Sequence, residues 1–218
     1  MSLVKPNRRQ MLELCISRGF LAAGAAATSQ CHLLAFWQQT EAKSHQPTSS
    51  EVLGPFYRKG APDNRVLRAP GDPGFPLKVT GRVANAQGQL VEGAKLDVWH
   101  ADHLGRYDTR GYRYRTKISP GAEGEYEVET VMPGHYEDRP AQHIHYLIAA
   151  PGHKTLITQA YFATDPFFEG DPDKNWQKRH IVEHKEHVLP VKLFEGGTGP
   201  GAPPAHAEIT FDIILEKA

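Results

Sequence analysis

Two histidines separated by one residue, His143-Ile144-His145, open the apolar run Tyr146-Leu147-Ile148-Ala149-Ala150. In a β-strand, residues two apart point to one face, so both imidazoles can converge on a single ion while Ile144 packs on the other side. An isolated HxH arises by chance, and the remainder of a site must come from elsewhere in the chain. A cupin-like or two-histidine-one-carboxylate iron site needs an acidic ligand. Positions 146 to 152 supply none, although Glu137 and Asp138 lie upstream and Asp165 downstream. What surrounds the pair is tyrosine. Tyr107 follows Gly105-Arg106, and Tyr136 ends Met132-Pro133-Gly134-His135, where a Pro-Gly turn can aim its ring back at the strand carrying His143.

Other candidates read more simply. Tyr112 and Tyr114 fit half-buried strand aromatics, Trp99 a core residue, and His100, His103, His135 and His153 exposed positions. His180, His184 and His187 have the spacing of one helical face, but Lys178, Arg179 and Lys185 are interspersed with them, which describes a solvated surface.

The elements that must hold these groups are mostly strands. Leu77, Val79, Gly81 and Val83 alternate with Lys78, Thr80 and Arg82 up to the turn signal Asn85-Ala86-Gln87-Gly88. A second alternating run, Ala94, Leu96 and Val98, follows it, so the two predict a hairpin. Further strands are expected at 112–118, 126–130, 143–149, 156–162 and 209–215, broken by Ser119-Pro120-Gly121, Pro133-Gly134, Pro151-Gly152 and Asp165-Pro166. Short strands with frequent turns predict an all-β, antiparallel β-sandwich over 51–218, with 173–187 as the one later helix candidate.

Composition agrees. The 218 residues suit one domain plus a tail, and 20 Gly with 17 Pro favour a turn-rich fold over a helical bundle. Lys+Arg and Asp+Glu are 25 each, leaving no bulk field for nucleic acid or an anionic membrane. The two cysteines, Cys15 and Cys31, precede the body, which excludes a disulfide framework and thiolate metal sites. The segment 1–37 carries Arg8-Arg9 before the apolar stretch from Gly19 to Ala27, with Ala25-x-Ala27 as a cleavage site. It reads as a twin-arginine-like export signal or an N-terminal helix, too short to span a bilayer, and 38–50 as a polar linker. Periplasmic or extracellular placement is expected, with cytoplasmic as the alternative.

Several ordered pieces together resemble the intradiol ring-cleavage dioxygenases, the non-haem ferric family typified by catechol and protocatechuate dioxygenases. They are Gly54-Pro55-Phe56-Tyr57, Gly93-Ala94 with Val98-Trp99, Gly105-Arg106-Tyr107 and Pro133-Gly134-His135-Tyr136. Arg139-Pro140 with His143-Ile144-His145, and Ala150-Pro151-Gly152 with Leu156 and Thr158-Gln159, complete the set. The resemblance implies Tyr107, Tyr136, His143 and His145 as Fe(III) ligands, with Tyr136 and His145 axial, and Tyr107 and His143 equatorial. It implies that Arg139 and Gln159 face the bound substrate, and that Tyr136 takes up a proton as the diol binds. The implied substrates are a small catechol and O2, and the implied product a cis,cis-muconate-type diacid. The chemistry is consistent: a phenol ionises near pH 10 unless a strong Lewis acid replaces its proton, and two phenolates favour ferric over ferrous iron. One departure stands out. Pro140, Ala141 and Gln142 separate Arg139 from His143, one residue more than the family's arginine–proline–x–histidine spacing. The stretch before the body is also short for the helical dimerisation region of catechol dioxygenases, although a homo-oligomer stays compatible. Two other classes remain: a ferrous oxygenase or cupin-like isomerase using His143, His145 and one of Glu137, Asp138 or Asp165, and a non-catalytic sandwich module in which the HxH is incidental.

Overall fold

The computed structural model describes residues 44–136, 139–199 and 201–218. The expectations for 1–37 and for Glu137 and Asp138 fall outside these residues. Among the described residues, ten strands form two five-stranded sheets. The first contains β1 (Pro76–Asn85), β4 (Glu125–Val131), β8 (Lys192–Phe194), β9 (His206–Thr210) and β10 (Ile213–Leu215). The second runs β3 (Arg115–Ile118), β2 (Lys95–Trp99), β5 (His143–Ala149), β6 (Leu156–Phe162) and β7 (Val188–Leu189). Among the described residues no helix is long and apolar enough to cross a membrane.

The all-β expectation holds, with a correction to strand direction. β1 pairs antiparallel with β4 but parallel with β9 and β10, and β6 pairs parallel with β7, so both sheets are mixed. Alternation reports which face a residue takes and is silent on the direction of its neighbour. The expected hairpin is also absent. The Asn85–Gly88 turn forms, closed by Gly88 N–H donating to Asn85 O at 2.8 Å, but β1 and β2 then enter different sheets. The single strand expected at 209–215 is divided at Phe211-Asp212, where Phe211 N–H bonds Thr80 O and Asp212 Oδ1 accepts from Arg82 N. Gly81 makes that close approach feasible, since a Cβ there would lie 2.0 Å from Phe211 O.

The helix expected at 173–187 is reduced to one turn, α1 (Pro172–Asn175), and two 3-10 turns, because Arg179 and His180 take left-handed backbone conformations (φ 56° and 53°). Its histidines do not share a solvated face. His187 is fully buried, whereas His180 is exposed.

The core lies between the sheets. Leu77, Val79 and Val83 of β1 meet Leu96 and Val98 of β2, Ile144, Tyr146 and Ile148 of β5, and Ala160 and Phe162 of β6. Burying each large aliphatic side chain contributes about 1.5–3 kcal/mol. The period of two then turns Trp99, His143, His145, Gln159 and Tyr161 to the outer face of the second sheet. That face is buried as well, beneath loops and a smaller apolar cluster of Ala141, Tyr161, Phe168 and Val182.

Candidate active site

Register places the site residues side by side. Across the antiparallel β5–β6 pair, His143 stands opposite Tyr161 and His145 opposite Gln159, while on the other flank His145 stands opposite Trp99 of β2. The two imidazole rings are 4.8 Å apart, nearly perpendicular, and almost inaccessible to solvent. Ala141 O accepts the Nδ1 proton of His143 at 2.7 Å, since a carbonyl can only accept. The lone pair of His143 therefore sits on Nε2, which faces Tyr107 Oη at 3.3 Å. His145 Nδ1 is buried with no hydrogen-bond partner among the described residues.

Both tyrosines arrive on loops whose glycines let backbone touch backbone. A Cβ on Gly105 would lie 1.9 Å from His135 O, and one on Gly134 would lie 2.4 Å from His103 O. Gly105 also has φ +78°, a region that favours glycine. Asp102 pins the junction: its carbonyl accepts from Gly105 N and Gly134 N, and its carboxylate from Leu104 N and Arg106 N. The two tyrosine motifs are thus one structure, and the rings of Tyr107 and Tyr136 meet edge to face at 5.7 Å. Tyr136 lies 5.8 Å from the His143 ring and Tyr107 6.2 Å from the His145 ring. The four side chains Tyr107, Tyr136, His143 and His145 thus lie together.

Electrostatics suit a cation. Burial pushes the Tyr107 phenol well above its ordinary value, with Tyr136 adding to the effect. Burial lowers His143 to about 4, and depresses His145 further with His143 and Arg139 adding to it, so both rings are neutral bases at pH 7. Two neutral imidazoles and two phenols that a Lewis acid alone could ionise are a donor set fitted to ferric iron. The orphaned, buried nitrogen of His145 fits the same reading.

Arg139 is tied to Tyr136 by its own N–H, which donates to Tyr136 O at 3.1 Å. Its Nη2 donates to Gln159 Oε1 at 2.8 Å and Tyr161 Oη at 2.6 Å, while its buried Nε has no partner among the described residues. Gln159 is fully buried and committed on both ends, since its Nε2 donates to Val52 O at 2.7 Å. It stands opposite His145 in the register, and its carbonyl oxygen supports Arg139.

The acidic alternative loses one of its candidates. Asp165 accepts from Gln142 N at 2.6 Å and Phe167 N at 2.9 Å, and pairs with His135 Nε2 at 2.7 Å. Among the described residues, no group of three or more His, Cys, Asp or Glu side chains is placed to hold a metal ion.

Beside the Gly54–Tyr57 stretch, sequence reasoning did not single out Arg115 or Tyr161. Phe56 stacks on Tyr107 with ring centroids 4.3 Å apart. Buried Arg115 lies over the same tyrosine ring at 5.8 Å and donates to Phe56 O and Asp108 O. Tyr161 had a legible signal, because Gln159-x-Tyr161 repeats on β6 the two-residue spacing of the histidines. His100 is a correction: it is buried, with its ring nitrogens engaged by Ala101 O and Thr130 Oγ1. Tyr112 and Tyr114 precede β3 and lie in a turn.

Residues 52–217 match the family model described as Dioxygenase. The chain belongs to this family, the intradiol ring-cleavage dioxygenases. Among curated relatives, it is 33% identical over 155 residues to a chlorocatechol 1,2-dioxygenase of Rhodococcus opacus, covering 57% of this chain and 60% of that protein. It is 28% identical over 200 residues to a catechol 1,2-dioxygenase of Acinetobacter baylyi, covering 78% and 62%. Matches thus span about 60% of these relatives' length. Among solved structures, the dioxygenase domain of a carbohydrate-binding protein fusion from Streptomyces sp. SirexAA-E superposes with TM-score 0.64 at 31% identity, covering 79% of this chain and all of that one.

Proposed function

We propose that the chain is an intradiol dioxygenase that holds Fe(III) with Tyr107, Tyr136, His143 and His145 and cleaves a catechol between its two hydroxylated carbons with O2. The observation that carries this reading is the meeting of two phenols and two neutral imidazoles on one buried sheet face. When bound by these four residues, a ferric ion would supply a Lewis acid that draws electron density from the catechol ring.

The remaining tasks fall to the chain. His143 offers Nε2, because Ala141 O holds the opposite proton. Trp99, lying flat on His145, fixes that ring's plane. Tyr136, half-buried and carried beside the turn to Arg139, takes the acid–base role: its oxygen would accept a proton from the incoming diol. Arg139 presents a positive charge to anionic character developing on the ring, and Gln159 holds the guanidinium from below. Phe56 and Tyr107 present flat aromatic surface that limits water at the ring.

Iron-loaded protein mixed with a panel of substituted catechols should consume one O2 per diol, with product absorbance in the ultraviolet typical of a conjugated diacid. Oxygen uptake with none of the panel contradicts this, as would extradiol products absorbing in the visible.

A further inference from the structure

We infer that Tyr161, Glu51 and His187 are positioning residues that clamp the Arg139 guanidinium beside the histidine pair. The inference rests on the ring-cleavage reading, which gives Arg139 its task, and it adds three residues to which that reading assigns no part.

Arg139 sits on a loop and follows a spacing one residue longer than the family pattern, so local sequence does not set its direction. The bonds to Nη2 do. Gln159 Oε1 and Tyr161 Oη receive it from neighbouring same-face positions of β6, and Ile181 O lies at 3.4 Å. Tyr161 is in turn engaged by Gln159 Oε1 at 3.0 Å and Glu51 Oε2 at 3.4 Å. The Glu51 side chain has no solvent exposure, nor effectively has that of His187, whose Nδ1 lies 3.1 Å from Glu51 Oε1. Thr158 gives its hydroxyl proton to Ser49 O, so it accepts from His187 Nε2 at 3.4 Å. A buried carboxylate is retained only where it is compensated. Here its partners are the His187 ring on one side and, through the Tyr161 hydroxyl, the Arg139 guanidinium on the other.

The network joins three separate stretches of chain. Glu51 N–H bonds Ile157 O, Gln159 Nε2 bonds Val52 O, and Glu183 N–H reaches Glu51 Oε1 at 3.4 Å. The strap at 49–52, strand β6 and the segment 181–187 therefore share one buried knot whose outlet is Arg139. Its charge is felt at Tyr107, His143 and His145 together.

The test is a double-mutant cycle between Tyr161→Phe and Arg139→Ala, with Glu51→Gln as a second, volume-conserving variant. Tyr161→Phe should lower kcat about tenfold with KM within about twofold, as misdirecting a positioned group does. Iron content and visible absorption should stay those of the wild type. In the Arg139→Ala background, Tyr161→Phe should cost nothing further in kcat, and Glu51→Gln should behave alike. The same cycle in denaturant unfolding should also be non-additive, a readout independent of turnover. Additive losses in both cycles, or wild-type kcat in both Tyr161→Phe and Glu51→Gln, would overturn the clamp. Should the wild-type protein cleave no catechol, the ring-cleavage reading fails, and the unfolding cycle alone decides the clamp: non-additive supports it, additive removes it.

Discussion

Trp99 lies flat against His145, with ring centroids 4.9 Å apart and planes 2° from parallel. The pair faces across the β2–β5 register, and Tyr57 packs tilted against the same indole at 5.0 Å. The indole covers one face of the buried imidazole and restricts its rotation, which is the preorganisation a metal ligand requires. Trp99→Leu should therefore cost about 3 kcal/mol or more in denaturant unfolding and lower iron stoichiometry in parallel. Full occupancy with native affinity in that variant would show that His145 needs no such backing.

Gly105 tests how the tyrosines are brought together. A methyl group there meets His135 O, and the left-handed φ adds strain for any side chain. Gly105→Ala should destabilise by about 2 kcal/mol or more and separate the two loops. Visible absorption of iron-loaded protein should fall further than far-ultraviolet ellipticity, because the loops move while both sheets persist. Unchanged absorption and melting temperature would refute the backbone-contact account.

His100 predicts a pH dependence away from the proposed ligands. Burial lowers it to about 4 from an ordinary 6.5, against an opposing hydrogen bond to Ala101 O. The unfolded chain then binds the proton more readily, so this contribution is complete above pH 6.5 and is lost as pH falls toward 4. A shift of that size corresponds to about 3 kcal/mol. In metal-free protein, His143 and His145 add losses of their own over this range. The unfolding free energy should therefore fall by more than this between pH 7.5 and pH 4.5, and His100→Gln should remove about 3 kcal/mol of the decline. Identical slopes in both proteins would place the titration elsewhere.

Much of this architecture was legible because short-range pattern decides it. Leu77–Val83 and Leu96–Val98 alternate, Ile144–Ile148 belongs to a short apolar run, and each forms a strand with an apolar face in the core. Gly-x-Tyr, Pro-Gly-His-Tyr and His-x-His carried the proposed donor set for the same reason: glycine and turn chemistry are local. What escaped is long-range. The parallel pairing of β1 with β9 joins Leu77 to Ala207, and no pattern at either end encodes direction. Glu51 and His187 are 136 residues apart, so no local pattern joins them, and His187 read as part of a solvated surface. Spacing suggested a helix through His180 and His187, but burial of His187 on Glu51 outweighs helical propensity in a segment with no apolar stripe.

Visible absorption of the purified, iron-loaded chain tests the central claim most directly. The account predicts broad phenolate-to-ferric charge-transfer absorption at one iron per chain, reduced in Tyr107→Phe and in Tyr136→Phe, and altered when catechol is added without O2. Stoichiometric iron in a colourless protein, or colour that survives both substitutions together, would contradict it.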